Sequence, residues 1–306
     1  QRILCKFANE MKTELSILIP TYNNDCVDIV KALSAQAKVI CGLRYEIIVA
    51  DDGSTIKSVI ETNRQINSID NCQYITSGHN VGRAAIRNIL SQSAHYKWLL
   101  YVDSGINIFR RDFLMRYLLT EDSDGVVYGG LSIMGSGKDI ESNLRYMYEK
   151  KCEIEHSTER RLQRQYKSFR TVNFLVYRAT MTAIPFNTEI KEYGYEDVMW
   201  GKSLKDNHFS INHIDNPVAY KTYDDNETYV AKTEEALRTL HKYKEEMCGY
   251  SNLLRVVESL KRYDIMNVFL TYYLIKRKSW RKKLCGRNPS VMIYNLYRIG
   301  YLLSIL

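Results

Sequence analysis

The stretch Leu15-Ser-Ile-Leu-Ile-Pro20 is followed at once by the polar residues Thr21-Tyr22-Asn23-Asn24. The stretch Tyr45-Glu-Ile-Ile-Val-Ala50 is followed in the same way by Asp51-Asp52-Gly53-Ser54. Both apolar runs are short and rich in β-branched residues, which is typical of strands buried on both faces of a parallel sheet. Polar residues after such strands lie at the carboxyl edge of the sheet, where open α/β folds bind ligands. The pattern therefore predicts a ligand site at this edge.

Two further polar signatures follow along the chain. Asn80-Val81-Gly82 leads into a predicted helix that carries Arg87-Asn88, and the apolar run 97–102 is followed by Asp103-Ser104-Gly105. Each signature alone is also ordinary turn chemistry, since Asn, Asp, Ser and Gly are common turn residues. Their order and spacing favour a single site, and the alternation of strands and helices up to about residue 130 indicates a parallel α/β sheet.

In this order the signatures resemble the family 2 glycosyltransferases of bacterial polysaccharide biosynthesis, and the resemblance covers most of residues 13–245. It implies a GT-A fold, that is, an α/β nucleotide-diphospho-sugar transferase-like fold with a mostly parallel sheet flanked by helices, and we expect a helical C-terminal appendage. It also implies transfer of a sugar, with inversion, from a nucleotide-diphosphate donor to a glycan or lipid-linked acceptor. A UDP-sugar is the favoured donor.

The resemblance assigns a donor pocket. Thr21 and Tyr22 would line the base and ribose, Asp52 would accept a hydrogen bond from the uracil ring, and Asp51 would support Asp52. Arg87 would lie near the diphosphate, where a fixed positive charge suits two phosphates; the alternative is a surface helix arginine. The full set of donor-binding candidates is Thr21, Tyr22, Asn23, Asp51, Asp52, Asn80, Gly82, Arg87, Asp103 and Ser104.

The metal motif of the family is incomplete in this chain. Relatives usually carry Asp-x-Asp where Asp103 is followed by Ser104 and Gly105, and commonly a histidine where Tyr220 stands. Glycine has no side-chain ligand, so we expect Mg²⁺ or Mn²⁺ binding through Asp103 to be weakened or absent. The alternative is that Asn107 or Asp112 completes the site. Cationic side chains could neutralise the phosphates instead: Arg87, Lys221 or the basic stretch 160–167.

The segment Glu192-Tyr-Gly-Tyr-Glu196-Asp197-Val-Met-Trp200 resembles the Glu-Asp motif of the family. Inverting transfer needs a base close to the acceptor hydroxyl, and the resemblance gives this role to Asp197, with Glu196 beside it. Tyr195 and Trp200 offer flat faces to an acceptor sugar. The alternative is that the two carboxylates complement a helix dipole and that Trp200 fills the core; for Trp200 both interpretations stay open.

Composition agrees with a large globular domain, because the 306 residues are 45% hydrophobic. We expect an N-terminal extension over residues 1–12, a GT-A domain over 13–250 and a basic, amphipathic helical region over 251–306.

Seven scattered cysteines indicate reduced thiols and a cytoplasmic location. The chain contains no G-x-G-x-x-G and no complete phosphate loop, which disfavours a dinucleotide-dependent oxidoreductase or an ATPase.

The formal charge of +8 is unevenly distributed, with one basic cluster at 276–283 between two apolar stretches. Neither stretch is long and apolar enough for a membrane span. The C-terminal region could lie peripherally on the inner face of a membrane, or pack back onto the catalytic domain.

A catalytically weakened nucleotide-sugar or glycan-binding protein is a second hypothesis for the function. A nucleic-acid binder is disfavoured because Asp51, Asp52 and Asp103 would repel phosphates.

Overall fold

The computed structural model describes residues 11–121, 125–135 and 137–306. The predicted N-terminal extension lies outside them except for its last two positions. Ten strands occur within the described residues: β1 Glu14–Thr21, β2 Arg44–Asp51, β3 Cys72–Thr76, β4 Trp98–Val102, β5 Ile106–Asn107, β6 Val126–Tyr128, β7 Leu131–Ser132, β8 Asn173–Tyr177, β9 Ile211–His213 and β10 Val218–Tyr220.

Seven of these strands form one sheet in the order β3-β2-β1-β4-β8-β6-β9. β1 pairs in parallel with β2 and β4, whereas β8 runs antiparallel to its neighbours β4 and β6. Leu15, Ile17, Leu18 and Ile19 of β1 are fully buried, as expected at the centre of a sheet flanked by helices. The predicted α/β GT-A sheet, mostly parallel, is confirmed.

The described residues also form thirteen α-helices: α1 Val27–Lys38, α2 Lys57–Arg64, α3 Arg83–Ser93, α4 Phe113–Leu118, α5 Lys138–Glu141, α6 Leu144–Lys151, α7 Thr158–Gln163, α8 Arg178–Ala183, α9 Glu196–Asp206, α10 Asn226–Lys242, α11 Asn252–Arg262, α12 Met266–Cys285 and α13 Val291–Ile305. Side-chain caps begin several of them. Asp225, Ser251 and Ser290 accept backbone N–H groups at the starts of α10, α11 and α13, which satisfies donors that a helix leaves unpaired.

The chain divides into two compact units. The first comprises the described residues of Gln1–Ser132, Glu155–Lys191 and Trp200–Lys221, and it contains both sheets. The second comprises those of Ile133–Ile154, Glu192–Met199 and Thr222–Leu306. No helix in the described part of the chain is both long and apolar enough to cross a membrane.

The C-terminal helices of the second unit are held by two hydrophobic clusters. In the first, Val230 of α10 packs with Tyr273, Trp280, Tyr294 and Tyr297 of α12 and α13. In the second, α10, α11 and α13 meet, and its buried members are Leu237, Leu240, Met247, Leu254, Val257, Leu302 and Leu303. The predicted helical C-terminal region is therefore present, and it packs against α10. The domain boundary predicted at residue 250 falls inside this unit and stays a prediction.

Candidate functional site

The loop after β1 is tied to the loop after β2. Asn23 adopts a left-handed backbone conformation (φ +54°), which asparagine tolerates better than most residues. Its side-chain oxygen accepts hydrogen bonds from the N–H groups of Thr55 at 2.9 Å and Ile56 at 3.1 Å. Its own N–H donates to Ser54 Oγ at 2.7 Å. Asn23 thus joins the first two polar signatures of the sequence.

Thr21 and Tyr22 differ in their accessibility to a ligand. Thr21 is buried, and its hydroxyl donates to the Asn24 carbonyl at 3.2 Å. Tyr22 keeps 45% of its surface exposed. An aromatic ring left open beside a polar loop offers a flat apolar face and a hydroxyl at its rim.

Asp51 orders the loop that carries Asp52. It is buried at the end of β2, where its Oδ1 accepts from the Ser54 N–H at 2.7 Å and its Oδ2 accepts from the Tyr74 hydroxyl on β3. Burial, followed by this hydrogen bond to the carboxylate, raises the pKa of Tyr74 above its ordinary range. The phenol therefore stays protonated and remains a donor to Asp51.

Asp52 joins the loop after β2 to the start of α3. Its Oδ1 accepts from the Val81 N–H at 2.6 Å, and its Oδ2 accepts from the Gly82 N–H at 3.1 Å. Burial raises the pKa of Asp52, and the two backbone donors oppose that rise. A carboxylate has about four acceptor positions, so two donors leave capacity for a ligand N–H. Gly53 allows the close approach, since a Cβ there would lie 2.4 Å from the backbone of His79.

The other donor-site candidates lie on the neighbouring loops. Gly82 has a positive φ of +94° and directly precedes α3. Ser104 Oγ accepts from Asn24 Nδ2 at 3.3 Å. Asn80 is exposed. The structure therefore links the polar signatures that follow β1, β2 and β4, and the start of α3, by hydrogen bonds at one edge of the sheet.

Arg87 of α3 is only 1% exposed, so the interpretation as a surface helix arginine is wrong. Its Nη2 donates to Asp103 Oδ1 at 2.9 Å and to Thr171 Oγ1 at 3.0 Å. Arg83, one turn earlier and exposed, places its Nη2 3.6 Å from the other oxygen of Asp103. The carboxylate of the incomplete metal motif is thus flanked by two guanidinium groups. The assignment of Arg87 to the diphosphate stays a prediction.

The two departures from the metal motif lie side by side. β10 pairs antiparallel with β5 so that Tyr220 lies opposite Ile106, and the Lys221 N–H donates to the Gly105 carbonyl at 3.0 Å. No cluster of three or more His, Cys, Asp or Glu side chains that could hold a metal ion occurs in the described residues. Asp103, already flanked by arginines, is a poor donor set for a hard cation that takes several oxygen ligands. These residues do not fit Mg²⁺ or Mn²⁺.

Of the two alternative metal ligands, Asp112 has another partner. Asn107 belongs to β5 and lies opposite Ala219 in the small sheet. Asp112 forms an ion pair with Arg116 at 2.7 Å, one helical turn away. Asp112 therefore pairs with an arginine, and Asn107 offers only a neutral amide oxygen, which is a weaker ligand for a hard cation than a carboxylate.

In the second unit, α10 holds the segment that precedes Glu196 and Asp197. The Tyr193 N–H donates to Glu235 at 2.8 Å, and its carbonyl accepts from the Thr239 hydroxyl at 3.0 Å. Gly194 has a positive φ of +98°, and a Cβ there would lie 2.7 Å from Ala236. α9 begins at Glu196, and Asp197 Oδ1 accepts from the Val198 N–H at 2.8 Å.

Tyr195 and its neighbours also pack into the C-terminal helices. Tyr195, Val198 and Met199 contact the second hydrophobic cluster, and burial raises the pKa of Tyr195. The segment that carries the Glu-Asp motif therefore packs against the C-terminal helices, for which the sequence left both membrane contact and packing onto the catalytic domain open. Glu196 is buried and Asp197 is half-buried.

Trp200 fills the core, and its assignment to the acceptor side is wrong for this structure. The side chain is 2% exposed, its Nε1–H donates to the Ile184 carbonyl at 2.8 Å, and its ring stacks on Phe186 with centroids 4.5 Å apart. No face of the indole is left for a sugar ring. Of the two interpretations left open by the sequence, core packing is the one the structure supports.

Sequence reasoning missed the role of Arg161. It lies within the basic stretch 160–167, yet it is buried, and its guanidinium donates to the carbonyls of His156, Tyr128, Gly129 and Ile214 at 2.9–3.3 Å. A run of basic residues usually indicates a solvated surface, and nothing in the local sequence separates Arg161 from its neighbours. Three of the four acceptors, the carbonyls of Tyr128, Gly129 and Ile214, come from segments far away in the chain, so only the fold reveals them.

Known proteins support the fold and the family. A family model for glycosyl transferase family 2 matches residues 16–183. A mannosyltransferase from Pyrobaculum calidifontis, solved with GDP-Man and Mn²⁺, superimposes with a TM-score of 0.53 at 12% identity, over 94% of this chain and 85% of that one. A search of curated proteins finds no match.

Two further solved structures are more distant in shape. S. aureus TarS 1-349 in complex with UDP gives a TM-score of 0.47 at 16% identity, over 73% of this chain and 64% of its own length. Glucosyl-3-phosphoglycerate synthase from Mycobacterium tuberculosis gives 0.47 at 14% identity, over 78% and 81% of the two chains. The family match spans more than half of the chain and contains the sheet edge described above. The protein belongs to glycosyl transferase family 2.

Proposed function

We propose that the protein transfers a sugar from a nucleotide-diphosphate donor, with UDP as the favoured nucleotide, to a glycan or lipid-linked acceptor in polysaccharide biosynthesis. The observation that carries the proposal is the arrangement around Asp52. Its carboxylate is fixed at the carboxyl edge of β2 by two backbone donors, beside the exposed ring of Tyr22 on the linked loop. This edge is where α/β sheets bind nucleotides.

The donor side of the reaction follows from the chemistry of these groups. The free acceptor capacity of Asp52 suits the ring N–H of uracil, and Tyr22 offers its ring face to the base or ribose. We assign neutralisation of the diphosphate to Arg87, with Arg83 and Lys221 as further cations. Both arginines lie beside Asp103, and the Lys221 backbone is bonded to Gly105. Fixed positive charges stabilise a leaving diphosphate without a metal ion.

The acceptor side rests on Asp197, which we assign as the base of an inverting transfer. The acceptor oxygen attacks the anomeric carbon from the face opposite the diphosphate, and its proton passes to the Asp197 carboxylate as the new C–O bond forms. The bond from the anomeric carbon to the phosphate oxygen breaks, and the nucleoside diphosphate leaves with the electron pair. Its place in the first turn of α9 favours an ionised carboxylate, because the helix N-terminus is positive.

A catalytically weakened nucleotide-sugar-binding protein is the second candidate. Two observations favour it. Arg83 and Arg87 flank Asp103, and Gly105 stands where the family's second metal-binding Asp is expected. Both candidates bind the donor, but only the first turns it over. The poor fit of Asp103 and its described neighbours to a metal ion is compatible with either candidate, because two guanidinium groups already lie beside this carboxylate.

Donor identity is tested by thermal shift with UDP-sugars and GDP-sugars, each in EDTA and in Mn²⁺. A donor present at a hundredfold excess over its Kd adds about 2.7 kcal/mol to the stability of the folded protein. We expect UDP-sugars to give the larger shift, with little difference between EDTA and Mn²⁺. A larger shift with GDP-mannose, which is bound in the mannosyltransferase structure compared above, would overturn the UDP assignment. A shift seen only in Mn²⁺ would overturn the metal-free arrangement.

Catalysis is tested with Asp197→Asn, which keeps the shape of the side chain and removes its proton acceptance. Turnover should fall by about 10²- to 10⁴-fold while the donor-induced thermal shift persists. The matched control is Asp206→Asn at the other end of α9, where the carboxylate only pairs with Lys202 at the surface. The anomeric configuration of the product, read by NMR, reports inversion. Donor binding without transfer by the wild type would favour the binding protein.

A further inference from the structure

The net positive charge of the chain arises from its C-terminal residues. The whole sequence has 43 basic and 35 acidic residues. Residues 265–306 contain eight of the basic residues and none of the acidic ones. The remainder of the chain is therefore balanced in formal charge, with 35 residues of each sign. The net charge of +8 belongs to α12, α13 and the turn between them.

The inner face of α12 is fully used by packing. Tyr273, Trp280 and Leu284 are buried in the first hydrophobic cluster against α10 and α13. Arg281 pairs with Glu234 of α10 at 3.0 Å. A Cβ at Gly300 of α13 would lie 2.2 Å from the Tyr273 ring, which shows how closely the two helices approach. α12 is thus fixed in one orientation, and its other face points to solvent.

The outer face of α12 combines exposed apolar and basic residues. Val268 and Ile275 are 72% and 73% exposed, and Tyr272 between them is also exposed. These three residues follow helical spacing and form one stripe. The exposed basic residues of the second half of the helix are Lys276, Arg277, Lys278, Lys282 and Lys283. In the described part of the chain no carboxylate lies within ion-pair distance of any of them.

We propose that this outer face of α12, from Val268 to Lys283, docks on an anionic membrane surface. The lysines would meet the negative headgroups, where each basic side chain near the surface adds to the attraction. Val268, Tyr272 and Ile275 would enter the boundary between headgroups and acyl chains, as the apolar face of an interfacial helix does. The helix lies on the membrane and does not cross it, in keeping with its basic second half.

The exposed aliphatic side chains select a lipid surface over a soluble polyanion. A nucleic acid or an acidic glycan would bind the lysines and leave Val268 and Ile275 in water. A lipid surface suits both the apolar and the basic residues of this face. It buries the apolar stripe away from water and places negative headgroups beside the lysines. The proposal is independent of the sugar-transfer reaction, because no residue of the outer face belongs to the donor site or to the Glu-Asp motif.

The test is co-sedimentation of the full chain with vesicles of phosphatidylcholine alone and of phosphatidylcholine with 30% phosphatidylglycerol. We expect binding to the anionic vesicles only, weakening steeply as the salt concentration rises. Replacing Lys276, Lys278, Lys282 and Lys283 by Gln should lower the partition coefficient by roughly a thousandfold, from about 1 kcal/mol for each basic residue. The matched control replaces four exposed lysines of the first unit, Lys31, Lys57, Lys97 and Lys191. Equal losses in both variants would show that only net charge matters and would overturn the proposal.

A second variant separates the lipid surface from a soluble polyanion. Val268→Ser with Ile275→Ser keeps every charge and changes only exposed positions, so the fold should be retained, as thermal unfolding will show. We expect this variant to lose vesicle binding by at least tenfold. Binding of the wild type to heparin as tightly as to anionic vesicles, with no effect of the two serine changes on either, would replace the membrane by an acidic polymer.

Discussion

The loops at the carboxyl edge of β1, β2 and β4 and the helices α10–α13 are held together by different forces. At the sheet edge, side-chain carboxylates and amides accept backbone N–H groups, as Asp52 does from Val81 and Gly82. In the C-terminal helices, aromatic and aliphatic side chains pack in two clusters, and a few side-chain hydrogen bonds are set among them, such as those of Glu234 with Arg281 and Tyr297.

This difference explains why the sequence predicts the individual residues of the sheet edge but only the helical character of the C-terminal region. A polar clamp requires particular residue types at particular positions, because only Asn, Asp, Ser and Gly satisfy the turn geometry and the backbone donors. An apolar cluster requires only adequate size and hydrophobicity, so many sequences serve it equally well. The edge therefore leaves a motif in the sequence, and the helical packing leaves only a periodicity.

The largest expected effect comes from removing the apolar region. Truncation after Ser251 deletes α11–α13 and exposes Leu237 and Leu240 of α10, which are buried in the second cluster. Each buried aromatic or aliphatic side chain lost contributes about 1.5–3 kcal/mol, and the sum exceeds the net stability of a typical domain. We expect the second unit to lose cooperative unfolding, measured by circular dichroism and hydrogen exchange at Tyr193–Val198. Full protection of that segment in the truncated chain would contradict the packing described here.

The next effect concerns the buried polar network of the first unit. Arg161→Met keeps much of the apolar stem but removes the guanidinium hydrogen bonds to the carbonyls of Tyr128, Gly129 and Ile214; each carbonyl keeps one backbone N–H donor. A hydrogen bond from a charged donor contributes about 1.5–3 kcal/mol, and the desolvation cost of the buried guanidinium, which the substitution also removes, offsets part of the sum. We expect a loss of roughly 3–5 kcal/mol in urea unfolding. The neighbouring exposed Arg160→Met serves as control and should change stability by less than about 0.5 kcal/mol; equal effects would mean that Arg161 is not the buried clamp.

The smallest effect is a pH dependence at His213, whose Nδ1 lies 3.2 Å from Arg161 Nη1 and whose Nε2 donates to the Gln165 carbonyl at 2.8 Å. Burial lowers the pKa of His213 to about 4, and the nearby guanidinium acts in the same direction. Between pH 6.5 and 4 the unfolded chain binds a proton at this residue that the folded chain does not. The contribution of His213 to the free energy of unfolding should therefore be fully present above pH 6.5, and it should fall by about 3 kcal/mol as the pH drops to 4.

The contribution of His213 is isolated by comparing wild type with His213→Gln in urea titrations from pH 4 to 7. The variant has no imidazole to protonate, so the difference between the two free energies of unfolding should shrink or reverse on acidification. Parallel curves over the whole range would show that His213 titrates normally in the folded protein. Other carboxylates contribute equally to both curves and cancel in the difference.

Several individual residues show where sequence reasoning stopped. The buried strands at 15–20 and 45–50 and the loops after them were predicted, because strand periodicity and turn residues are local properties. Arg87, Arg161 and Trp200 were not resolved by the sequence, because burial of a charge or of an indole depends on partners from distant segments. Arg87 needs Thr171, Arg161 needs Ile214, and Trp200 needs Phe186.

The sequence by itself determined the α/β class, the order of the polar signatures along the sheet edge and the place of the +8 charge, since these follow from local periodicity, turn chemistry and composition. Only the tertiary structure decided that Asp103 pairs with two arginines and that Trp200 belongs to the core. The same is true of the packing of the segment around the Glu-Asp motif against the C-terminal helices. Those outcomes depend on which distant segments meet, and the free energy of burying a side chain is set by its partners there and not by its neighbours in the chain.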